Sequence, residues 1–362
     1  MIDEKLAVWA LAGINGIGPA GFLMLIEKFG SAAAVFEASA NEIISSETAN
    51  LNIAQKIAAS KNWDEIQKKF DASIAEGASV VAITEASYPS KLKNIANPPL
   101  YIYYKGNLDI FENPTLAVVG SRQPTDYGRR ITTRLVGELA AAGVVIISGL
   151  AYGVDGAAHQ TALEAGGVTA AIFGCGLDII YPSGHRSLAQ RIIEKGCLIS
   201  EFPKSTKPEK FNFPVRNRIV AGLSDGVLVI EAGSKSGALV TANLALDQGR
   251  DVLAVPGSLD NDMSFGPNSL IKQGAIAITS ADDIFSNFNW HKSMVTYERS
   301  YDLSKLSKDE TTIFNFLSIQ PIHLDEIGRK IGMGPGKIAE ALLNLELKGL
   351  ILRKPGNFVV RS

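Results

Sequence analysis

An α/β chain, with an extended Rossmann-like parallel sheet flanked by an N-terminal helical block and a C-terminal winged helix, is the fold class this 362-residue sequence predicts. Three observations predict it. Short, wholly apolar runs alternate with helical segments from about residue 70 to 285, the pattern of strands buried on both faces. Glycine-rich or polar turns follow those runs, where strand hands over to helix. On either side the periodicity is helical, and the chain closes on a hairpin signal. At roughly 150 residues per domain, the length fits two or three domains.

Residues 1–65 read as a helical domain of SAM or helix-hairpin-helix type. Leu6, Trp9 and Ala10, then Phe22, Leu23, Leu25, Ile26 and Phe29, recur at helical spacing. Between them, Gly13, Gly16, Gly18 and Pro19 break any single helix and make a hairpin. Hairpin amides of this kind can hold a DNA phosphate. The sparse basic residues here favour packing or protein contact instead.

Residues 66–286 read as the sheet domain. Val80–Ile83 and Leu100–Tyr104 are lead-in strands; Leu116–Val119, Val144–Ile147, Thr169–Phe173, Leu198–Ser200, Val227–Ile230 and Val252–Val255 follow. Arg129–Ala142, Asp155–Ala165 and Ala238–Gln248 are helices between them. Residues 287–304 are polar and aperiodic and read as a linker. Residues 305–362 carry helices over Asp309–Leu317, Leu324–Ile331 and Lys337–Lys348. A hairpin turning at Pro355-Gly356 completes a winged helix.

Composition narrows the function. With 46% apolar and 20% charged residues the chain buries a sizeable core. Its 35 basic and 37 acidic residues give a net charge of −2, which excludes a histone-like basic coat but leaves room for a local cationic groove. Two cysteines, Cys175 and Cys197, are too few for a disulfide framework, so a reducing cytoplasm is expected. The acidic start MIDEKLAVWALAG does not suit a signal peptide. The most apolar stretch, Leu139–Ala151, falls short of the roughly 20 residues of a membrane span.

No catalytic signature emerges. Gly336-Lys337 is followed by Ile338, so there is no phosphate-binding GK[ST] loop. Gly233-Ser234-Lys235-Ser236-Gly237 has Lys where a nucleophile elbow needs Ser. His159, His185, His291 and His323 pair with no cysteine at metal-ligand spacing, and the two cysteines suit buried, small apolar positions. The expectation is therefore no enzyme, no metal and no cofactor.

The turns after the strands offer something else. Gly120-Ser121-Arg122, Ser148-Gly149, Gly174-Cys175-Gly176 and Glu231–Gly237 gather at the carboxyl edge of the sheet, and the last leads to Thr241. Exposed amides at helix starts suit phosphates. Arg122, Arg129, Arg130 and Arg134 stand against Asp126 alone. Lys204, Lys207, Lys210, Arg216 and Arg218 stand against Glu209 alone. Those nine cations suggest a basic stripe. Phe202, Phe211 and Phe213 either stack bases or fill the core. In Phe213-Pro214-Val215-Arg216-Asn217-Arg218, Asn217 can bond a base edge or cap a turn. Arg216 or Arg218 can fork a phosphate or pair with Glu201, Asp225 or Glu231.

The ordered segments GSRQPTDYG, ISGLAYGVDGAAH, GCGLDIIYPSGH, LISEFP, FPVRNRIVAGLSD, EAGSKSGALVTA and GRDVLAVPGS resemble the DNA-processing protein family, DprA or Smf, strongly over about 115–280. One stretch departs: Ser264–Asn268 carries Pro267 where a small polar residue is expected, which bears on loop shape. The resemblance implies single-stranded DNA held at the sheet edge, a homodimer through the sheet domain, and protection of incoming strands with loading of the recombinase RecA in natural transformation. It implies DNA contacts at Gly120, Ser121, Arg122, Asn217 and Arg218 and along Gly233, Ser236, Gly237 and Thr241. Arg216 joins them, as does Arg186 just past GCGLDIIYPSGH. A rival is a nucleotide phosphoribohydrolase-like enzyme, but the Glu231–Ala238 turn lacks that group's Gly-Gly pair and downstream Glu. Another is a winged-helix adaptor, whose recognition helix would show the mixed set Lys337, Glu340, Asn344, Glu346 and Lys348.

Overall fold

Residues 2–290, 306–317, 322–348, 350–354 and 356–361 are described by a computed structural model. The chain divides into two compact units, Met1–Tyr297 and Glu298–Ser362. Most of the segment expected to be a linker, 291–304, lies outside the described residues.

The first unit opens with helices α1 (Glu4–Ala12), α2 (Pro19–Phe29), α3 (Ala32–Glu37), α4 (Ala40–Ser45), α5 (Leu51–Ala59) and α6 (Trp63–Ser73). The last of these runs across residues 65 and 66, where the sequence suggested a boundary. The expected hairpin lies between α1 and α2: Gly13 caps the first, Gly16 turns at φ +107°, and Pro19 starts the second. Ile14 and Ile17 are buried, and the Lys56 ammonium donates to the Asn15 carbonyl at 3.0 Å. The hairpin therefore packs on α5.

Strand β1 (Ser79–Ala82), helix α7 (Ser90–Lys93) and strand β2 (Tyr101–Gly106) lead into β3 (Thr115–Val119). Then come α8 (Asp126–Ala141), β4 (Val145–Ser148), α9 (Val154–Glu164), β5 (Thr169–Phe173), α10 (Arg186–Lys195), β6 (Cys197–Ser200) and α11 (Asn212–Gly222). The unit closes with β7 (Gly226–Val229), α12 (Gly237–Asp247), β8 (Asp251–Ala254), α13 (Phe265–Lys272), β9 (Ile276–Ala277) and α14 (Ala281–Asn287). Among the described residues these strands form one nine-stranded sheet, ordered β1-β2-β6-β5-β4-β3-β7-β8-β9. From β6 to β9 every pairing is parallel; β2 runs antiparallel to both β1 and β6. The chain walks outward from β3 through β6, then returns to the other side of β3 with β7. That reversal leaves a crevice beyond the carboxyl ends of β3 and β7, the usual ligand position in open sheets of this kind.

Strands β3 to β7 are buried at every residue, which is why their sequences are apolar runs and not alternations. One core continues from Leu11, Phe22 and Phe36 of the helical block to Ile102, Ala117 and Val227 of the sheet. At the join, the Trp9 indole donates to the Tyr103 hydroxyl at 3.1 Å, and that hydroxyl donates to Ser73 at 2.9 Å.

The second unit is a winged helix: α15 (Lys308–Phe316), β10 (Ile322–His323), α16 (Leu324–Ile331), α17 (Pro335–Leu347), β11 (Ile351–Lys354) and β12 (Phe358–Arg361), with sheet order β10-β12-β11. It has its own core of Ile313, Phe314, Ile327, Leu342, Leu345 and Val359. The two-residue β10 had no visible signal in the sequence, being too short for a periodicity. Pro355, expected at the wing's turn, lies outside the described residues.

Candidate nucleic-acid interface

A cleft of about 1280 Å³ opens at the crevice beyond β3, β4 and β7. Its floor is backbone. Gly120 follows β3, and a Cβ there would come within 2.6 Å of Val154 and 3.0 Å of the Glu231 carbonyl, so only glycine fits. The Ser121 amide donates to the Glu231 carbonyl at 2.7 Å. The buried Glu231 carboxylate accepts from the Thr125 amide at 2.8 Å and its hydroxyl at 2.6 Å. The turn after β3 is thereby tied to the turn after β7. Gly153, at φ +81°, lets α9 start against the Ser121–Arg122 backbone, and the Val154 amide donates to the Ser121 carbonyl at 3.1 Å.

Two buried charged side chains, Arg216 and Asp155, also line the cleft. Arg216, 5% exposed, donates to the carbonyls of Gly149 (2.8 Å) and Ile172, and through Nε to the Asn217 side-chain oxygen at 3.2 Å. Asp155, in the first turn of α9, accepts from the amides of Gly149 at 3.1 Å and Ala151 at 3.4 Å. Burial raises the pKa of its carboxyl, opposed by the Arg216 charge and those amides. Arg216 thus ties the turn after β4 to the end of β5, while Asp155 fastens the turn after β4 to the start of α9.

Phe213 sits beside Arg216. The Cζ atoms of Arg122 and Arg216 both lie 5.9 Å from its ring centroid, within cation–π range. Tyr181 lies 5.8 Å away at 37°. Gly174 makes the room: a Cβ there would be 2.9 Å from the Phe213 ring. Of the charged residues lining the cleft, Arg122, Lys210, Lys235 and Asp262 are exposed and Asp155 and Arg216 are buried. The opening is thus moderately cationic and aromatic-walled.

Gly120, Ser121, Arg122, Asn217, Gly233, Ser236, Gly237 and Thr241 all line the cleft, as the sequence suggested. Arg216 lines it too, but with its guanidinium turned inward onto carbonyls. Two expected residues do not line it. Arg218 follows Asn217 by about 100° around α11, and its guanidinium pairs with Glu201. Arg186 is exposed at the start of α10, outside the lining. The nine-cation stripe is likewise reduced: Arg122, Lys210 and Arg216 line the cleft, while Arg129, Arg130 and Arg134 ride α8. Arg134 donates to the Thr279 carbonyl at 3.0 Å. Lysine 235 supplies a charge from within a turn singled out for its glycines. Phe265 was missed because Ser264–Asn268 reads as a loop, whereas Phe265 begins α13; Met263, in the short 3-10 turn before it, carried no signal.

Both cysteines are buried and free. Burial pushes the Cys175 thiol up to about 11, and that of Cys197 higher still. Among the described residues no cluster of three or more His, Cys, Asp or Glu could hold a metal ion. No described helix is long and apolar enough to cross a membrane.

Comparison with known proteins agrees with this geometry. A family model, the DNA recombination-mediator protein A, matches residues 79–289, and the DprA winged helix domain matches 300–357. Protein Smf of Escherichia coli (strain K12) is 41% identical over 278 residues, 75% of this chain and 74% of that protein. The X-ray structure of DNA processing protein A from Streptococcus pneumoniae superposes with TM-score 0.70 at 34% identity, covering 80% of this chain and all of that one. A Helicobacter pylori DNA processing protein A, solved for its single-stranded DNA binding mode, gives TM-score 0.54 at 33% identity, with 59% and 95% covered.

Proposed function

The chain belongs to the DNA recombination-mediator protein A family, and from that premise we propose that its cleft holds single-stranded DNA for delivery to RecA. The carrying observation is the combination in one cleft of exposed Arg122, Lys210 and Lys235 with the Phe213 and Tyr181 rings, over a floor of glycine backbone. Cations track phosphates and rings stack unpaired bases, which a duplex presents only after melting. In this reading Gly120, Ser121, Arg122, Asn217 and the Gly233–Thr241 turn make the strand contacts, and Arg216 supports them from below.

The protein acts in this proposal as a binding mediator and not as a catalyst. It works in the cytoplasm during natural transformation, as a homodimer through its sheet domain, protecting incoming strands and loading RecA onto them. The proposed division is 1–65, 66–286 and 305–362 with 287–304 the connection, the first two segments sharing α6 and one core.

Anisotropy titration with labelled oligothymidylate and with duplex of equal length tests the DNA reading. The single strand should bind more tightly; equal or tighter duplex binding overturns it. Arg122→Ala should weaken binding to all sequences and reduce the slope of log affinity against log salt by about one, as losing one phosphate contact does. An unchanged slope moves that contact elsewhere. Stimulation of RecA filament assembly on strands pre-coated with single-strand-binding protein tests the loading step.

A further inference from the structure

We propose that Phe265 is a second base-stacking platform, on the wall of the cleft opposite Phe213. The inference rests on the single-strand reading of the cleft and adds a contact to it. Phe213 stands over the β4–β5 side of the sheet edge, beside Gly174. Phe265 stands on the β7–β8 side, at the first position of α13, with the turn after β3 between them. Its side of the cleft also carries Lys235 and Val240.

Phe265 is 58% exposed, although its backbone is tightly held. The Ala232 amide donates to the Met263 carbonyl at 2.7 Å, and the Gly266 amide donates to the Ala232 carbonyl at 2.8 Å. A Cβ at Gly266 would stand 2.6 Å from that carbonyl oxygen, so glycine there draws the start of α13 against the turn after β7. The Asn268 side chain exchanges two hydrogen bonds with the Gly257 backbone, at 2.9 and 3.2 Å, closing the loop behind it. An aromatic face presented to a cationic cleft from a fixed backbone is organised in advance to take a flat, unpaired ring. A nucleobase is the occupant that fits, because Arg122 and Lys235 on the same lining would meet the phosphates joined to it. A strand would lay one base on each wall, with its backbone crossing the turn after β3.

Three substitutions in the full chain test this, with oligothymidylate as the probe. Phe265→Ala and Phe265→Leu should each weaken binding about tenfold, the second because it keeps apolar bulk but loses the flat face. Neither should alter the salt slope, which counts phosphate contacts. Phe265→Trp should keep wild-type affinity, and the added tryptophan emission should change as the strand binds. Wild-type affinity in Phe265→Leu, or an emission unmoved by saturating strand, overturns the proposal while leaving the cleft reading in place. Failure of the wild-type protein to bind the probe overturns both. If the alanine variant melts early by circular dichroism, the leucine and tryptophan variants decide the matter.

Discussion

His159 shows how burial can hold a single residue in one protonation state. Thr169 Oγ1 donates to the Ile146 carbonyl at 2.6 Å, so its oxygen is left to accept from His159 Nδ1, also at 2.6 Å. The Nε2 atom is buried without a hydrogen-bond partner, and a proton there would be a stranded charge. Burial accordingly pushes the imidazole from its ordinary 6.5 down to about 3. A histidine with a depressed folded pKa contributes stability that is present above 6.5 and lost as pH falls toward the folded value. At about 1.4 kcal/mol per unit, roughly 2 kcal/mol should disappear between pH 7 and pH 5. Asp155, with its raised pKa, acts with the opposite sign, so a matched variant is needed to isolate the histidine. Urea unfolding at both pH values should show wild type losing about 2 kcal/mol more than His159→Gln; parallel losses would assign the pH dependence to other groups.

Helix α11 is the element that the sequence disguised, and it explains what could and could not be foreseen. Strands β3 to β8 are legible as apolar runs, because burial on both faces leaves little choice of residue. The two-residue β9 is too short to show any pattern. The glycine turns at the sheet edge are legible because close backbone approach admits no other residue at Gly120. The sequence showed no helix across Phe213–Arg218, yet Pro214 is the third residue of α11, as Pro267 is of α13. In a first turn the missing N–H costs no intrahelical hydrogen bond, so both prolines begin helices that they appear to forbid. Once α11 is a helix, its 100° step decides the arginines: Phe213, Arg216, Asn217 and Val220 share the cleft face and Arg218 leaves it. Counting charges along a chain cannot supply that rotation. Arg218→Ala should therefore leave the salt slope of oligothymidylate binding unchanged, in contrast to Arg122→Ala. A slope lowered by one in both would mean that Arg218 abandons Glu201 for a phosphate when DNA arrives.

For the molecule as a whole, the two ends should respond differently to removal. The winged helix has its own core, and every residue lining the cleft belongs to the first unit. A chain ending at residue 297 should stay folded and bind oligothymidylate within about twofold of the full chain, by circular dichroism and anisotropy; a larger loss would give the winged helix a share in strand binding. The N-terminal helices have no such independence, since their apolar residues continue the core of the sheet and Trp9 and Ser73 both bond Tyr103. Deleting residues 2–73 should expose that core and yield aggregates on gel filtration, and a monodisperse product with intact near-ultraviolet dichroism would refute the shared-core account. The buried thiols carry a practical consequence. Cys175 donates its S–H to the Ile179 carbonyl at 3.2 Å, and Cys197 is fully enclosed in β6. Both are held in the protonated form that alkylating reagents ignore. Leu259→Cys, at a position 92% exposed and three residues from Asp262 of the cleft lining, therefore gives a one-site handle for a fluorescent dye while the native sulfurs stay in place.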